Sequence, residues 1–461
     1  MHACQHTAWM LVNLLARQEK IVDVVYLDCP PAIPLAGRIV PLASRDVDVQ
    51  TALLDGAAAI GAVPVQEGTS DLASFRLVVG PGPALERGIR VHGERWWGGV
   101  ATHSAVATTD PDNPLPFGPY AAACIAASRV YLGVRLKTPA PDEDAFYSTW
   151  SLRSLQSSPT DPADVGPAAV GDIEIYALLA GAGAVGNTWA HAIWATEGLA
   201  GRVIVADADE LGVDRTNLNR CPALGAASIG KQKASEVAQN CGDSPVNLVH
   251  FKGRVEDSSE RLPLLISAVD TNTARRAVQA LYPGRLLAAS THNLRAEVVR
   301  TDPTSLAACI SCHNPPEADI PDAELRREYL IASDEEKERL ARELGHTREE
   351  ADAWAIDGMC SNATDGLVEH LRASHAGAAA FSVGFVSVLA GTMLAAQTVR
   401  ELLDDRCLNG TLCRATITLL DPCARVNGPG FYQRDPECPI CNPIAPAHEI
   451  WRSRYESFLN R

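Results

Sequence analysis

Ile173-Glu174-Ile175-Tyr176-Ala177-Leu178-Leu179-Ala180-Gly181-Ala182-Gly183-Ala184-Val185-Gly186 is the stretch on which the fold turns. Ile175 to Leu179 is an apolar run of strand length, and a Gly-x-Gly-x-x-Gly loop follows it at Gly181, Gly183 and Gly186. Further on, Arg202-Val203-Ile204-Val205-Ala206-Asp207 is a second strand that ends in an acid. Strand, glycine loop, helix, strand and acid in that order make a nucleotide-binding βαβ unit. The glycines let backbone amides approach a phosphate at a helix N-terminus, where the helix dipole favours negative charge. Alone, the unit suits a dinucleotide oxidoreductase, with Asp207 on the ribose and Asp209 as the alternate; either acid could equally be a plain strand-end cap.

Composition narrows the class. A chain of 461 residues has room for two to four domains, and 46% apolar residues suffice for packed cores. A formal charge of −16 and a pI of about 5.2 argue against nucleic acid or an anionic membrane as partner, and leave a basic protein surface open. The start, Met1-His2-Ala3-Cys4-Gln5-His6, lacks the segments of a secretory signal, so a cytoplasmic location is expected. Ala376 to Val399 is uncharged, but Ser382, Gly384, Ser387, Gly391, Thr392 and Gln397 dilute it, which predicts a buried core helix rather than a membrane span. Thirteen cysteines are an odd number for a disulfide framework; in a cytoplasmic protein, paired spacing points to metal.

Along the chain, residues 1–138 read as an α/β layer, with a helix over Trp9–Gln18, strands at Ile21–Leu27 and Phe75–Gly80, and an alanine-rich helix over Ala121–Leu132. No glycine fingerprint precedes its opening helix and strand, so it reads as a degenerate Rossmann-like half whose chain starts inside the unit. Residues 139–171, rich in Pro, Asp and Ser, read as a linker or docking arm. Residues 172–445 alternate helices with strands at Leu248–Phe251, Leu264–Asp270 and Arg285–Ser290, as a doubly wound sheet would. They include a charged helical insert and loop at 320–375, and 446–461 form a C-terminal tail. Phe117-Gly118-Pro119-Tyr120 and its helix resemble Ser382-Val383-Gly384-Phe385 and the helix Val386–Leu402, as two halves of one ancestry would.

Three further elements follow the glycine loop. Thr216-Asn217-Leu218-Asn219-Arg220 and Ile229-Gly230-Lys231-Gln232-Lys233 offer a rigid fork and point charges for phosphates. In Ser267-Ala268-Val269-Asp270-Thr271-Asn272, an acid at the carboxyl end of a parallel strand could hold Mg2+. Together with Asp207 these residues resemble the adenylating core (ThiF/MoeB-type) shared by ubiquitin-activating enzymes and by bacterial enzymes that activate sulfur carriers. The resemblance covers about Ile173 to Pro443, and implies a Rossmann-like adenylation domain with zinc knuckles, preceded by an inactive half in a pseudo-dimer. It implies ATP on Gly181, Gly183, Gly186 and Asp207, triphosphate contacts from Asn217, Arg220 and Lys233 with Lys231 as the competing lysine, and Mg2+ positioned by Asp270. Cys221 stands where that family usually has glutamine, and Thr271 where asparagine usually follows the acid.

Cys309-Ile310-Ser311-Cys312 and Cys438-Pro439-Ile440-Cys441 are two Cys-x-x-Cys knuckles, whose four thiolates could close a tetrahedral Zn2+ site; redox knuckles are the alternative. The family context favours structural zinc, with His313 a bystander. Cys360 follows the charged insert, where relatives that make a thioester keep their nucleophile; an inert half-buried thiol is the plain alternative. The remaining cysteines read as packing residues. The resemblance thus implies an activating enzyme for a ubiquitin-like protein ending in glycine, which passes it to a conjugating enzyme in a bacterial system of the kind that includes antiviral defence. A homodimer is compatible with this. A sulfur-carrier adenylyltransferase, an inactive scaffold and an NAD-linked oxidoreductase are the competing readings.

Overall fold

The computed structural model describes residues 2–135, 142–260, 262–314, 333–343, 347–348, 352 and 383–459; Cys360 lies outside them. The first half begins with α1 (His2–Leu15), β1 (Val25–Leu27), α2 (Val49–Ile60) and β2 (Val65–Glu67), and β1 pairs with β2 in parallel. Asp48 caps α2 by accepting from Thr51 N at 3.0 Å, and Gly61 ends it in the left-handed region at φ 70°. A second sheet follows from β3 (Leu77–Val79), β4 (Ile89–Glu94), β5 (Trp97–Ala101), β6 (Ala145–Ser148) and β7 (Arg153–Leu155), in that spatial order. Helix α3 (Phe117–Arg135) runs between β5 and β6. Within the stretch that composition suggested as a linker, Ala145–Ser148 and Arg153–Leu155 are sheet strands, and Pro162–Val165 is a short helix, α4.

The second half supplies β8 (Ile173–Ala180), α5 (Ala184–Ala195), β9 (Leu199–Asp207), α6 (Arg215–Leu218), α7 (Lys233–Asn240), β10 (Val246–Lys252), β11 (Leu264–Ser267), α8 (Asn272–Ala280), β12 (Arg285–His292) and β13 (Arg295–Thr301). After α9 (Ile310–His313) come α10 (Asp334–Glu343), α11 (Gly384–Leu402), β14 (Arg414–Thr418), β15 (Gly428–Gly430) and α12 (Pro446–Leu459). The eight strands order as β10-β9-β8-β11-β12-β13-β14-β15, parallel through β12 and antiparallel after it. The chain leaves β8 toward β9 on one side and returns to β11 on the other, so β8 and β11 flank a topological switch point, the place where open α/β sheets bind ligands.

The two halves share a wiring pattern. In each, a parallel strand pair is followed by an antiparallel strand, a 19-residue buried helix and two more antiparallel strands: β3, β4, β5, α3, β6, β7 against β11, β12, β13, α11, β14, β15. The pair β1–β2 likewise matches β9–β10. Among the described residues, no strand in the first half stands where β8 stands in the second, and the first-half sheet is split there into two.

Helix α11 packs on α3, α5, β12 and β13, and its polar groups are satisfied inside: Trp189 Nε1 donates to Thr398 Oγ1 at 3.0 Å and Gln397 Nε2 to Thr149 O at 2.7 Å. Arg300 of β13 is buried against Glu401 of α11, with Nε–Oε2 at 2.5 Å, and against Asp302. Burial opposes those two carboxylates, yet Arg300 holds both below their ordinary range. No helix among the described residues is long and apolar enough to cross a membrane. Residues 315–383 form a separate compact unit, in which α10 opens on Asp334, Glu335 and Glu336 and Arg348 bonds Asp334 at 2.9 Å.

Candidate functional site

The glycine loop sits between β8 and α5 as the sequence requires. Gly181 takes φ 93°, and a Cβ there would meet Ala268 O at 2.9 Å, at the end of the neighbouring strand β11. A Cβ on Gly186 would lie 1.9 Å from Gly181 O, so only glycine lets α5 seat this closely on its own loop. Gly183, the N-cap of α5, has no atom within 4 Å of its missing Cβ, which leaves open space where a phosphate could approach the helix N-terminus. In register, Ala180 pairs with Ala206 and Ser267, so the loop, Asp207 and the Ala268–Asp270 turn leave the sheet at one level.

Asp207 closes this edge. Its Oδ2 accepts from Ala182 N at 2.7 Å and its Oδ1 from Asp209 N at 2.9 Å, so the carboxylate fixes the glycine loop as well as facing it. Asp209 in turn holds the Lys233 ammonium in an ion pair at the start of α7. Burial alone would lower the Lys233 pKa, but Asp209 outweighs it and raises it; burial likewise opposes the Asp209 charge, and Lys233 brings that carboxyl down. Lys233 is 12% exposed, whereas Lys231 is 53% exposed and pairs with Glu236 at 3.4 Å.

Asn217 is buried in the single turn α6 and completes a capping box: its Oδ1 accepts from Asp214 N at 3.0 Å, while its own N–H donates to Asp214 Oδ1 at 2.6 Å. Arg220 follows, its Nε donating to Thr216 O at 3.1 Å. Beneath them lies the buried thiol of Cys221, pushed up to about 11 by burial, against the pull of Arg220, Arg17 and Lys233 and with a push from Asp207. Asp270 is exposed beyond the end of β11, where the apolar strand stops at Ser267 rather than running on to the acid. Thr271 caps α8, accepting from Ala274 N at 3.1 Å, which gives the residue in the asparagine position a local structural role.

Two site residues carry no sequence signal. Arg17 and Asn13, at the end of α1 in the first half, bond the backbone of residues 218–224. An arginine after an apolar helix is too common to mark; only the fold, bringing positions about 200 apart together, reveals it.

The four knuckle thiols converge within 4.8 Å of one another, with Cys309 Sγ 3.8 Å from Cys312 Sγ and 3.7 Å from Cys438 Sγ, and Cys312 Sγ 3.3 Å from Cys441 Sγ. A Zn–S length of about 2.3 Å in a tetrahedron sets an S–S edge of about 3.8 Å, so the donor set fits zinc. The distances are too long for disulfides, and the four cysteines are free. The cluster is walled by Ile440, Trp451 and Tyr282, and Trp451 Nε1 donates to Pro283 O at 2.6 Å. His313 stands outside it, its ring stacked on Tyr432 at 4.6 Å.

Neither a protein-family model nor a curated protein matches the chain. Among solved structures, E. coli MccB with succinimide is similar at 13% identity, covering 58% of this chain and 66% of that chain at a TM-score of 0.35. The microcin C7 biosynthetic enzyme MccB with N-formylated MccA is similar at 14%, covering 59% and 67%, and E. coli MccB with ATP at 14%, covering 59% and 68%, both at a TM-score of 0.37. The chain spans just under two thirds of the first of these structures.

Proposed function

We propose that this chain is an ATP-dependent activating enzyme for a ubiquitin-like protein, its second half an adenylation domain and its first half the inactive partner of a pseudo-dimer. One observation supports the reading: the Gly181–Gly186 loop, Asp207 and the turn leading to Asp270 leave β8, β9 and β11 at their carboxyl edge, at the switch point, and Lys233 is ion-paired to Asp209 two residues past Asp207. The loop amides at the α5 N-terminus would take phosphate, Asp207 the ribose, Arg220 and Lys233 the triphosphate, and Asp270 a magnesium ion. Such a set of cations is more than a dinucleotide needs, and suits charge building on phosphates during nucleotidyl transfer.

The carrier's C-terminal carboxylate attacks the α-phosphorus of ATP; the bond to the β-phosphate oxygen breaks, pyrophosphate leaves and an acyl-adenylate remains. The carboxylate is already ionised, so positioning and charge stabilisation carry the step without a general base. A Cys360 thiolate would then attack the acyl carbon and release AMP, leaving a thioester for a conjugating enzyme. The knuckle cysteines would hold a structural Zn2+ ion, tying 309–312 to 438–441.

The test is a thiol-sensitive covalent adduct between enzyme and a ubiquitin-like protein ending in glycine, formed with ATP and lost in Cys360→Ala. An adduct that persists in that variant moves the nucleophile elsewhere. Adenylate without an adduct in either protein returns the reading to a sulfur-carrier adenylyltransferase.

A further inference from the structure

We propose that Arg17, carried by the first half, is a positioning residue of the nucleotide site, its guanidinium holding the Asn217–Arg220 turn in the geometry that meets the triphosphate. The inference rests on the ATP reading above. Arg17 is 3% exposed just past α1. Its Nε donates to Asn13 Oδ1 at 2.8 Å, one Nη to Leu218 O, and the other Nη to Pro222 O at 3.2 Å and Leu224 O at 2.8 Å. Asn13 Nδ2 adds a bond to Pro222 O at 2.9 Å. Three carbonyls that bracket Arg220 and Cys221 therefore end on one rigid fork, whose planar geometry lysine does not reproduce.

No carboxylate pairs with Arg17 among the described residues. A buried guanidinium held by neutral oxygens alone is an expensive arrangement, and burial draws its pKa down to about 10. The arrangement is explained by what it holds: the carbonyls of Leu218, Pro222 and Leu224, on either side of Arg220, all end on Arg17. Asn219 O also lies 2.7 Å from where a Cβ on Gly384 would stand, so the turn meets both the end of α1 and the start of α11. Shifting the turn unseats Arg17, and removing Arg17 frees the turn.

Binding of Mg·ATP and of adenosine to the full chain tests this. Arg17→Met keeps side-chain length and removes charge and fork; Arg17→Lys keeps the charge. Loss of the fork is expected to weaken ATP about tenfold or more while adenosine binding stays unchanged, with Arg17→Lys recovering part of the loss. Should the Met variant not fold, Asn13→Ala, which removes the contact that orients Nε, is expected to weaken ATP about threefold and to spare adenosine. A purely structural role would weaken both ligands alike. That result, or unchanged ATP binding in the variant that folds, overturns the proposal. Wild-type protein that binds neither ligand overturns the nucleotide reading, and the proposal falls with it.

Discussion

At the scale of the residue, the proposed nucleotide site turns on Lys233. It is largely buried at the start of α7, and Asp209 keeps it charged and aimed. Replacing it with Met removes a cation from the phosphate region and leaves Asp209 unpaired, so ATP-dependent turnover is expected to fall by about 100-fold or more, with the melting temperature little changed. Lys231→Met, on an exposed lysine paired only with Glu236, is expected to change turnover less than about threefold. Steady-state rates of both variants check the assignment; the reverse order would make Lys231 the functional lysine. At this scale the sequence was readable wherever spacing is local. Gly181, Gly183, Gly186 and Asp207 stand in one βαβ unit, and the two lysines stand at the start of α7, before β10 of the same sheet, so their order points to one edge. Asn13 and Arg17 were not readable, because nothing in an apolar helix tells which distant carbonyls its last turn will meet.

Elements show where periodicity fails and pairing takes over. The helices read at Ala121–Leu132 and Val386–Leu402 fall within α3 and α11, and the second was legible as buried because its stretch is apolar all round. Strands β1 and β3 are shorter than their apolar runs, since each pairs over three residues only. β6 and β7 were invisible in a Pro- and Ser-rich stretch because their stability is borrowed from β5. Glu94 at the end of β4 is another tertiary product. Burial opposes its charge, but Thr108 and Thr109 bond it, His92 Nε2 stands 3.5 Å away, and its pKa is held at about 2. A depressed carboxyl adds stability above its unfolded pKa of about 4.3 and loses it as pH falls through the folded value. Melting temperature should therefore fall between about pH 4.3 and 2, and less steeply in Glu94→Gln. Parallel slopes for the two proteins would remove Glu94 from the acid transition. The zinc knuckles give the complementary prediction. Chelation should release one zinc per chain and lower the melting temperature, and Cys438→Ser should reproduce both effects; protein purified free of zinc with an unchanged melting curve would contradict the structural role.

At the scale of the whole molecule, the described residues form two similarly wired halves, and only the second shows a strand at the position of β8. The second half has β8, its glycine loop and the switch point; the described first half has β1–β2 and β3–β7 with nothing between them in the sheet. Asn13 and Arg17 of the first half bond the backbone of residues 218–224 in the second. The sequence hinted at this only through the resemblance of Phe117–Tyr120 to Ser382–Phe385 with their following helices, because strand order is a property of pairing rather than of composition. The central claim is cleavage of ATP at the α-phosphate for a carrier's C-terminus. Its most direct test is ATP labelled in the α-phosphate, incubated with the full chain, Mg2+ and a ubiquitin-like protein ending in glycine. The account predicts label in a carrier-linked adenylate and in AMP, with pyrophosphate exchanging into ATP only when the carrier is present. Label emerging as ADP, or no exchange despite bound ATP, would contradict it.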